Sequence, residues 1–178
     1  MLPTEGFSFA GQVGVGRSHG TDADPGIFTR AYVRLTGYLP LGRTWYSQAR
    51  LELGQVFLGS HMVVPDSQKF RAGGDDSVRG YAYRSLGPLV DGLVSGGDAM
   101  YTVSFELARP FLASMPTLWG AVFVDAGNAA DSFAQLHPAV GAGVGVRWRS
   151  PVGPLRLDWA WGAKTRKSRL HFSVGIAF

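Results

Sequence analysis

The sequence lacks cysteine and is poor in lysine and in charge altogether. Its 178 residues contain no Cys, and its only lysines are Lys69, Lys164 and Lys167. The absence of cysteine excludes disulfide bridges, thiolate-bound metals and a cysteine nucleophile. Charged residues make up 17% of the chain, and the net charge of +4 comes mostly from arginines scattered along it. A nucleic-acid-binding protein would collect such charge into a basic stripe, so we expect no nucleic-acid partner.

The sequence also has no long apolar run, and its first residues do not have the pattern of a secretory signal peptide. No stretch approaches the roughly 18 apolar residues of a membrane-spanning helix, and residues 1–5 have neither the basic start nor the apolar middle of a signal peptide. The chain is instead rich in glycine, with 25 residues, and in aromatic residues, at 12%. This composition is typical of β-structure that has one face out of water.

Most of the chain alternates apolar and polar residues with a period of two, which is the pattern of β-strands. The alternation predicts eight strands, at residues 7–17, 27–39, 45–58, 99–111, 118–128, 140–149, 155–162 and 169–178. A Pro-containing turn is predicted at residues 109–117 and a tight turn at 150–154. Short turns thus alternate with longer loops along the chain.

Alternation alone does not say which face is buried, because a soluble barrel would show the same period. Gly141, Gly143 and Gly145 oppose valines and would leave bare backbone facing water in a soluble protein, whereas inside a membrane barrel they leave room. Aromatic residues near strand ends and the alternation of short turns with long loops favour the same reading. The sequence therefore predicts an all-β, antiparallel transmembrane β-barrel whose apolar face meets lipid.

One long interval, at about residues 59–97, interrupts the series of strands. Its segment 70–88 reads F-R-A-G-G-D-D-S-V-R-G-Y-A-Y-R-S-L-G-P, and this mixture of aromatic and charged residues indicates a packed loop rather than a disordered one. The V-R-G-Y core resembles the V/I-R-G-F/Y signature in the sixth extracellular loop of the BamA/TamA superfamily, the bacterial surface antigen family of outer membrane barrels. The run at 72–88 resembles the TamA branch in particular. The loop motif comprises Val78, Arg79, Gly80 and Tyr81.

The arginine of this motif requires an anionic partner wherever it lies. If Arg79 folds back onto the inner face of the barrel, an uncompensated guanidinium there is costly. Glu106 and Asp125 are then the candidate partners, because both fall on the polar sides of the two strands after the loop. If the loop lies on the surface, Arg79 would instead pair with Asp75 or Asp76. The residues alone leave both alternatives open.

The strand at 118–128 favours the first alternative through a second resemblance. It reads L-W-G-A-V-F-V-D-A-G-N, which is similar to the G-x-x-F-x-D-x-G strand of the same superfamily. The resemblance implies that Arg79 locks the loop against this strand, with Asp125 as an ionic partner and Phe123 as a ring for stacking. Gly80 would let the backbone turn sharply beside the arginine.

The last predicted strand resembles the C-terminal targeting signal of outer membrane barrels. Its apolar positions are Phe172, Val174, Ile176 and Phe178. In the superfamily such a strand is one side of a weakly paired seam, to which a client strand adds by main-chain hydrogen bonding. Gly175 would weaken the pairing of this strand.

The sequence contains no pattern that predicts catalysis. His19, His61 and His137 fall in predicted loops and only His171 lies on a strand, so no metal-binding pair arises. The serines lack a Gly-x-Ser-x-Gly elbow, and the A-G-G-D-D-S segment lacks the lysine of a phosphate loop. We expect no enzymatic activity, no cofactor and no metal.

The resemblance implies a TamA-like factor of the Gram-negative outer membrane that inserts or translocates other proteins. Its expected partners are outer membrane lipid, client outer membrane or surface proteins and a periplasm-spanning TamB-like protein. A two-partner secretion transporter and a small structural or adhesive barrel are the alternatives.

Volume sets a further expectation, because a barrel of about eight strands is filled by its own side chains. Such a barrel leaves no space for the 59–97 loop. We therefore expect residues 1–178 to form the C-terminal portion of a larger barrel, with the natural N-terminus upstream and strand 7–17 paired to an upstream strand. Pairing of two copies, or a loop that stays outside, would also resolve the conflict.

Overall fold

The computed structural model describes residues 5–19, 24–42, 44–59, 61–112, 114–150 and 153–175. Eight long strands form one antiparallel sheet: β1 (Gly6–Ser18), β2 (Gly26–Leu41), β3 (Trp45–Phe57), β6 (Ala99–Leu112), β7 (Met115–Ala130), β8 (Ala139–Ser150), β9 (Gly153–Gly162) and β10 (Lys167–Val174). A separate hairpin consists of β4 (Leu89–Val90) and β5 (Leu93–Val94). Two 3₁₀ turns occupy Asp66–Gln68 and Phe133–Gln135. No helix in the described ranges is long and apolar enough to span a membrane.

The long strands pair in chain order, β1-β2-β3-β6-β7-β8-β9-β10, so each is hydrogen-bonded to its neighbour along the sequence. This confirms the prediction of an all-β antiparallel sheet. Within the described residues the sheet is open, since β1 pairs only with β2 and β10 only with β9. The outer edges of these two strands therefore carry main-chain groups without a partner in the sheet.

The predicted turn at residues 109–117 is wrong, because β6 and β7 extend through most of it. Pro110 lies within β6 and pairs with Trp119 of β7, and the register shifts between Pro110 and Leu112. On its other side, the pairing of β6 with β3 ends at Ala108. Proline is tolerated here because a missing N–H costs little where a strand has lost one of its neighbours.

The two faces of the sheet differ sharply in their side chains. One face exposes apolar residues, including Val144 (51% exposed), Leu157 (43%), Trp159 (56%) and Phe172 (63%). The opposite face holds buried polar and charged residues such as Asp158, which is 5% exposed. Soluble monomers rarely expose apolar patches larger than a few hundred Å², so the first face is suited to lipid, as the sequence predicts.

The described part of the loop between β3 and β6, residues 58–59 and 61–98, lies against the polar face and forms the apolar core with it. Phe70 bridges to Gly97 and Ala72 bridges to Leu86, which gives the loop a folded frame of its own. One buried cluster contains Phe28, Val56, Val64, Phe70, Met100 and Ala129. A second buried cluster contains Ala72, Val78, Tyr81, Leu86 and Ala139. The core thus sits between the loop and the strands.

Candidate functional site

The V-R-G-Y motif is anchored by the two residues that flank its centre. Val78 is 0% exposed and Tyr81 is 2% exposed, and full burial of a side chain like Val78 contributes about 1.5–3 kcal/mol. The Tyr81 hydroxyl donates to the Val140 carbonyl at 3.0 Å and accepts from the Lys164 N–H at 3.0 Å. These contacts attach the motif to β8 and to the turn after β9.

Between these anchors, Gly80 gives the backbone a turn that a side chain would prevent. Its φ is +91°, and a Cβ atom at this position would lie 2.8 Å from the Gly162 nitrogen. Glycine adopts such a φ without strain, whereas residues with a Cβ rarely do. The Gly80 N–H donates to His171 Nε2 at 3.0 Å, so the turn also contacts the terminal strand β10.

Arg79 points toward the polar face of the sheet and contacts both carboxylate oxygens of Asp125 in β7. Its backbone N–H and its Nε donate to Asp125 Oδ2 at 3.0 and 2.7 Å, and its Nη2 donates to Oδ1 at 2.9 Å. The Ser104 hydroxyl donates to Oδ1 at 2.6 Å. Asp125 is 0% exposed, so these donors replace the water that the carboxylate has lost.

The remaining guanidinium nitrogen of Arg79 reaches two further carboxylates. Nη1 donates to Glu106 Oε2 at 2.9 Å and to Asp158 Oδ2 at 3.1 Å. The guanidinium carbon lies 3.4 Å from the centroid of the Phe123 ring, a geometry of cation–π attraction. The structure therefore brings Glu106, Phe123 and Asp125, the candidate partners from the sequence, into contact with Arg79.

A second arginine, Arg147 of β8, neutralises part of this negative charge. Its Nε and Nη2 donate to the two oxygens of Glu106 at 2.9 and 2.7 Å, and its Nη1 donates to Asp158 Oδ1 at 2.5 Å. We call these five side chains the ion cluster; they are Arg79, Glu106, Asp125, Arg147 and Asp158. With three carboxylates against two guanidiniums, the cluster carries a formal charge of −1.

The carboxylates of the cluster keep Arg79 charged despite the loss of water. Burial by itself lowers the pKa of the Arg79 guanidinium, but the hydrogen bonds and the charge of Asp125 outweigh this effect and raise the pKa above its ordinary value. An arginine in this setting is a permanent cation. The ionic contact is therefore present at every pH at which the carboxylates stay ionised.

Gly141 of β8 makes room for the arginine's backbone. A Cβ atom at this position would overlap the carbonyl oxygen of Arg79. Any larger residue would push the loop away from the sheet. Of the glycines opposite valines in this strand, which the sequence assigns to the inner face, Gly141 thus lies directly under the motif.

The whole chain matches a known protein family. The model of the Omp85 superfamily domain matches residues 1–178. The chain belongs to the Omp85 superfamily. This confirms the family resemblance, while membership of the TamA branch remains a prediction.

Sequence similarity to individual proteins supports the same placement in the Omp85 superfamily. The chain is 31% identical over 195 residues to an outer membrane protein assembly factor BamA from Nitratidesulfovibrio vulgaris, covering 99% of this chain and 23% of the relative. It is 32% identical over 120 residues to the chloroplastic outer envelope protein 80 of Arabidopsis thaliana, covering 66% of this chain and 16% of that protein. The chain thus spans less than a quarter of the length of these relatives.

A solved structure has the same fold. The crystal structure of BamA from Haemophilus ducreyi lacking POTRA domains 1–3 superposes with a TM-score of 0.75 at 24% identity. The match covers 99% of this chain and 39% of that one. The open sheet therefore has the fold of part of that BamA structure.

Several residues of the site are ones that the sequence pattern did not identify as partners of Arg79. Arg147 and Asp158 alternate onto the polar face, but only the strand register brings them to the arginine. The pairing of β8 with β9 sets that register, since Ser150 lies opposite Gly153 and Gly145 lies opposite Asp158. The contact of His171 with the loop has no sequence signal, because it depends on how the loop folds back.

The terminal strand of this Omp85 chain presents an apolar outer face. Phe172 and Val174 are 63% and 52% exposed. Gly175 follows the end of β10, and its N–H donates to the Pro154 carbonyl at 2.8 Å. Ile176 and Phe178 lie outside the described residues.

The rival surface contact of Arg79 with the loop aspartates does not form. Asp75 and Asp76 make no salt bridge within the described residues, and both line a small polar cleft beside the ion cluster. Within the same residues no group of three or more His, Asp or Glu side chains is arranged to hold a metal ion. The site thus attaches the loop to the sheet through ion pairs of Arg79. Among the described strands, the sheet itself offers unpaired main-chain edges at β1 and β10.

Proposed function

We propose that this chain is part of a barrel that assembles other β-barrel proteins into the outer membrane. The chain resides in the outer membrane of a Gram-negative bacterium and contacts its lipid through the exposed apolar face. The observation that carries the proposal is the ion cluster, which fixes the Omp85 loop motif to four strands of the sheet: β6, β7, β8 and β9. A surface loop would not require three buried carboxylates.

The proposed mechanism is physical and involves no covalent step. An unpaired strand edge can accept a client strand by main-chain hydrogen bonding. β10 offers such an edge, since its eight residues pair only with β9. The loop, held by Arg79 and touching His171 of β10 through Gly80, supports the polar side of this strand while the edge exchanges partners.

A finer proposal places the protein in the TamA branch, as the C-terminal portion of a larger barrel. The A-G-G-D-D-S-V-R-G-Y-A-Y-R-S-L-G-P run supports the branch, which implies a TamB-like partner that spans the periplasm. The exposure of β1 supports the larger barrel: its residues are exposed on both faces, except near its ends. A further strand beside β1 would extend the sheet toward closure.

Reconstitution of the intact protein in lipid vesicles tests the proposed function. An unfolded outer membrane β-barrel protein is added, and its folding is followed by the shift in gel mobility of unheated samples. We expect faster folding than in vesicles that hold an unrelated barrel of similar size. Equal rates in the two preparations would contradict an assembly role.

Assays in the same vesicles distinguish the assembly role from the two alternative functions. Passage of a soluble secreted protein across the bilayer without barrel folding would instead indicate a two-partner secretion transporter. Activity toward neither class of client would favour a structural or adhesive barrel. Co-purification of a TamB-like protein with the intact protein tests the TamA branch separately.

A further inference from the structure

A small cavity at the turn end of the polar face is lined by aromatic and basic side chains. It lies near the β6–β7 and β8–β9 turns and has a volume of about 50 Å³. We call it the arginine pocket; its principal lining residues are Tyr38, Tyr46, Trp119, Arg147, Arg149 and Arg156. A site that holds one water needs only about 10–15 Å³, so the pocket accommodates a group of a few heavy atoms.

The charges around this cavity do not balance. Three guanidiniums line it, whereas Glu106 is the only acidic residue among the described residues of its lining, and Glu106 is already engaged by Arg79 and Arg147. Among the described residues no carboxylate lies within 4.0 Å of the Arg149 or Arg156 side chains. The pocket therefore keeps an excess of positive charge.

The strand register makes this excess costly. Arg147 and Arg156 are directly opposite each other in the pairing of β8 with β9. Like charges at such positions are destabilising. Arg147 is compensated by the ion cluster, whereas Arg156 forms no ion pair with any described residue. An anion beside Arg156 would remove the repulsion.

Stacking on an aromatic ring positions Arg149 without using its hydrogen-bond donors. The guanidinium carbon of Arg149 lies 4.3 Å from the centroid of the Trp119 ring. Trp119 in turn contacts Tyr46 edge-to-face, with ring centroids 6.4 Å apart. A guanidinium stacked on a ring keeps its N–H groups directed outward in its own plane. Arg149 is thus preorganised to donate to an oxyanion.

We propose that the arginine pocket binds a carboxylate, with Arg149 and Arg156 as its donors. The planar fork of arginine matches the two oxygens of a carboxylate. The charged side chains of the pocket project from the polar face, so the ligand arrives from the side opposite the lipid-facing surface. Its source is either a small organic acid or the free C-terminus of a polypeptide. This binding site is independent of the proposed assembly activity.

Calorimetric titration of the intact protein in a neutral detergent at pH 7.5 tests the site. The probes are acetate, the tripeptide N-acetyl-Gly-Gly-Ala with a free C-terminus, and its C-terminal amide, all at constant ionic strength. Saturable binding of the free-acid peptide but not of the amide would support the pocket with a polypeptide source. Saturable binding of acetate alone would support it with a small acid.

Variants locate the binding. Arg156→Gln and Arg149→Gln should each weaken the affinity about tenfold, because each removes a charge-assisted hydrogen bond. Arg169→Gln is the matched control, since Arg169 is an exposed arginine of β10 outside the pocket, and it should leave the affinity unchanged. Absence of saturable carboxylate binding, or equal affinities in all three variants, would overturn the proposal. Tighter binding of inorganic phosphate than of either carboxylate would also contradict it.

Discussion

Arg79→Ala is the perturbation for which the structure gives the clearest magnitude. The substitution removes two of the four hydrogen bonds that Asp125 accepts, those from Nε and Nη2 of the guanidinium, and Asp125 is fully buried. The backbone N–H of residue 79 and the Ser104 hydroxyl remain as donors. Glu106 and Asp158 keep Arg147, so the main cost falls on Asp125.

Removing one partner of a buried ion pair costs about 3–5 kcal/mol. The open population of the loop should therefore rise roughly 150- to 4,000-fold, since each 1.4 kcal/mol is a factor of ten. Hydrogen exchange followed by mass spectrometry on the intact protein measures this directly in peptides that cover residues 70–88. We expect much faster exchange there and unchanged exchange in the strands remote from the loop.

Arg84→Ala is the matched control for this experiment. Arg84 lies in the same loop and is exposed. Its φ is +53°, and alanine is no more strained there than arginine, because both carry a Cβ atom. Its exchange should match that of the unmodified protein to within a few-fold. If Arg79→Ala leaves loop exchange unchanged, or if Arg84→Ala accelerates it equally, the ion cluster does not hold the loop.

Three further substitutions test the faces and the contacts of the sheet. Leu157→Arg should impair folding into bilayers, since arginine on a lipid face costs ~2–4 kcal/mol at the midplane, whereas Ser173→Arg on the polar face should have a smaller effect; equal folding yields would mean that the faces are reversed. Gly141→Val should displace the loop and raise its protease sensitivity, while the neighbouring Ala142→Val, on the exposed apolar face, should not; identical digestion patterns would argue against close approach at this glycine. His171→Ala should speed hydrogen exchange in the loop and in β10 together, and a change confined to the terminal strand would exclude a link between them.

The period-two pattern was sufficient to predict which side chains share a face. Glu106 and Asp125 could be assigned to the polar side because every second residue of a strand points the same way. The family motif then predicted that an arginine would meet them. The contacts of Arg147 and Asp158 could not be predicted, because they depend on the register across four strands rather than on the pattern within any one strand.

The path of the loop could not be predicted for a related reason. Phe70 packs over Gly54, where a Cβ would lie 2.6 Å from the ring, and Arg30 lies 4.2 Å from the same ring centroid. Such contacts join residues far apart in the chain and carry no local periodicity. The predicted turn at residues 109–117 is wrong because Pro110 indicates a turn only where the backbone N–H of its strand would otherwise pair with a neighbour.

A double-mutant cycle on assembly activity tests the central claim most directly. The intact protein and its Arg79→Ala, Asp125→Ala and combined variants are reconstituted in vesicles, and the folding rate of a client β-barrel protein is measured for each. If the buried contact between these two residues holds a loop that the activity requires, each single variant slows client folding and the double variant is no slower than the worse single one. Unchanged rates in the single variants, or losses that simply multiply in the double variant, would contradict the claim.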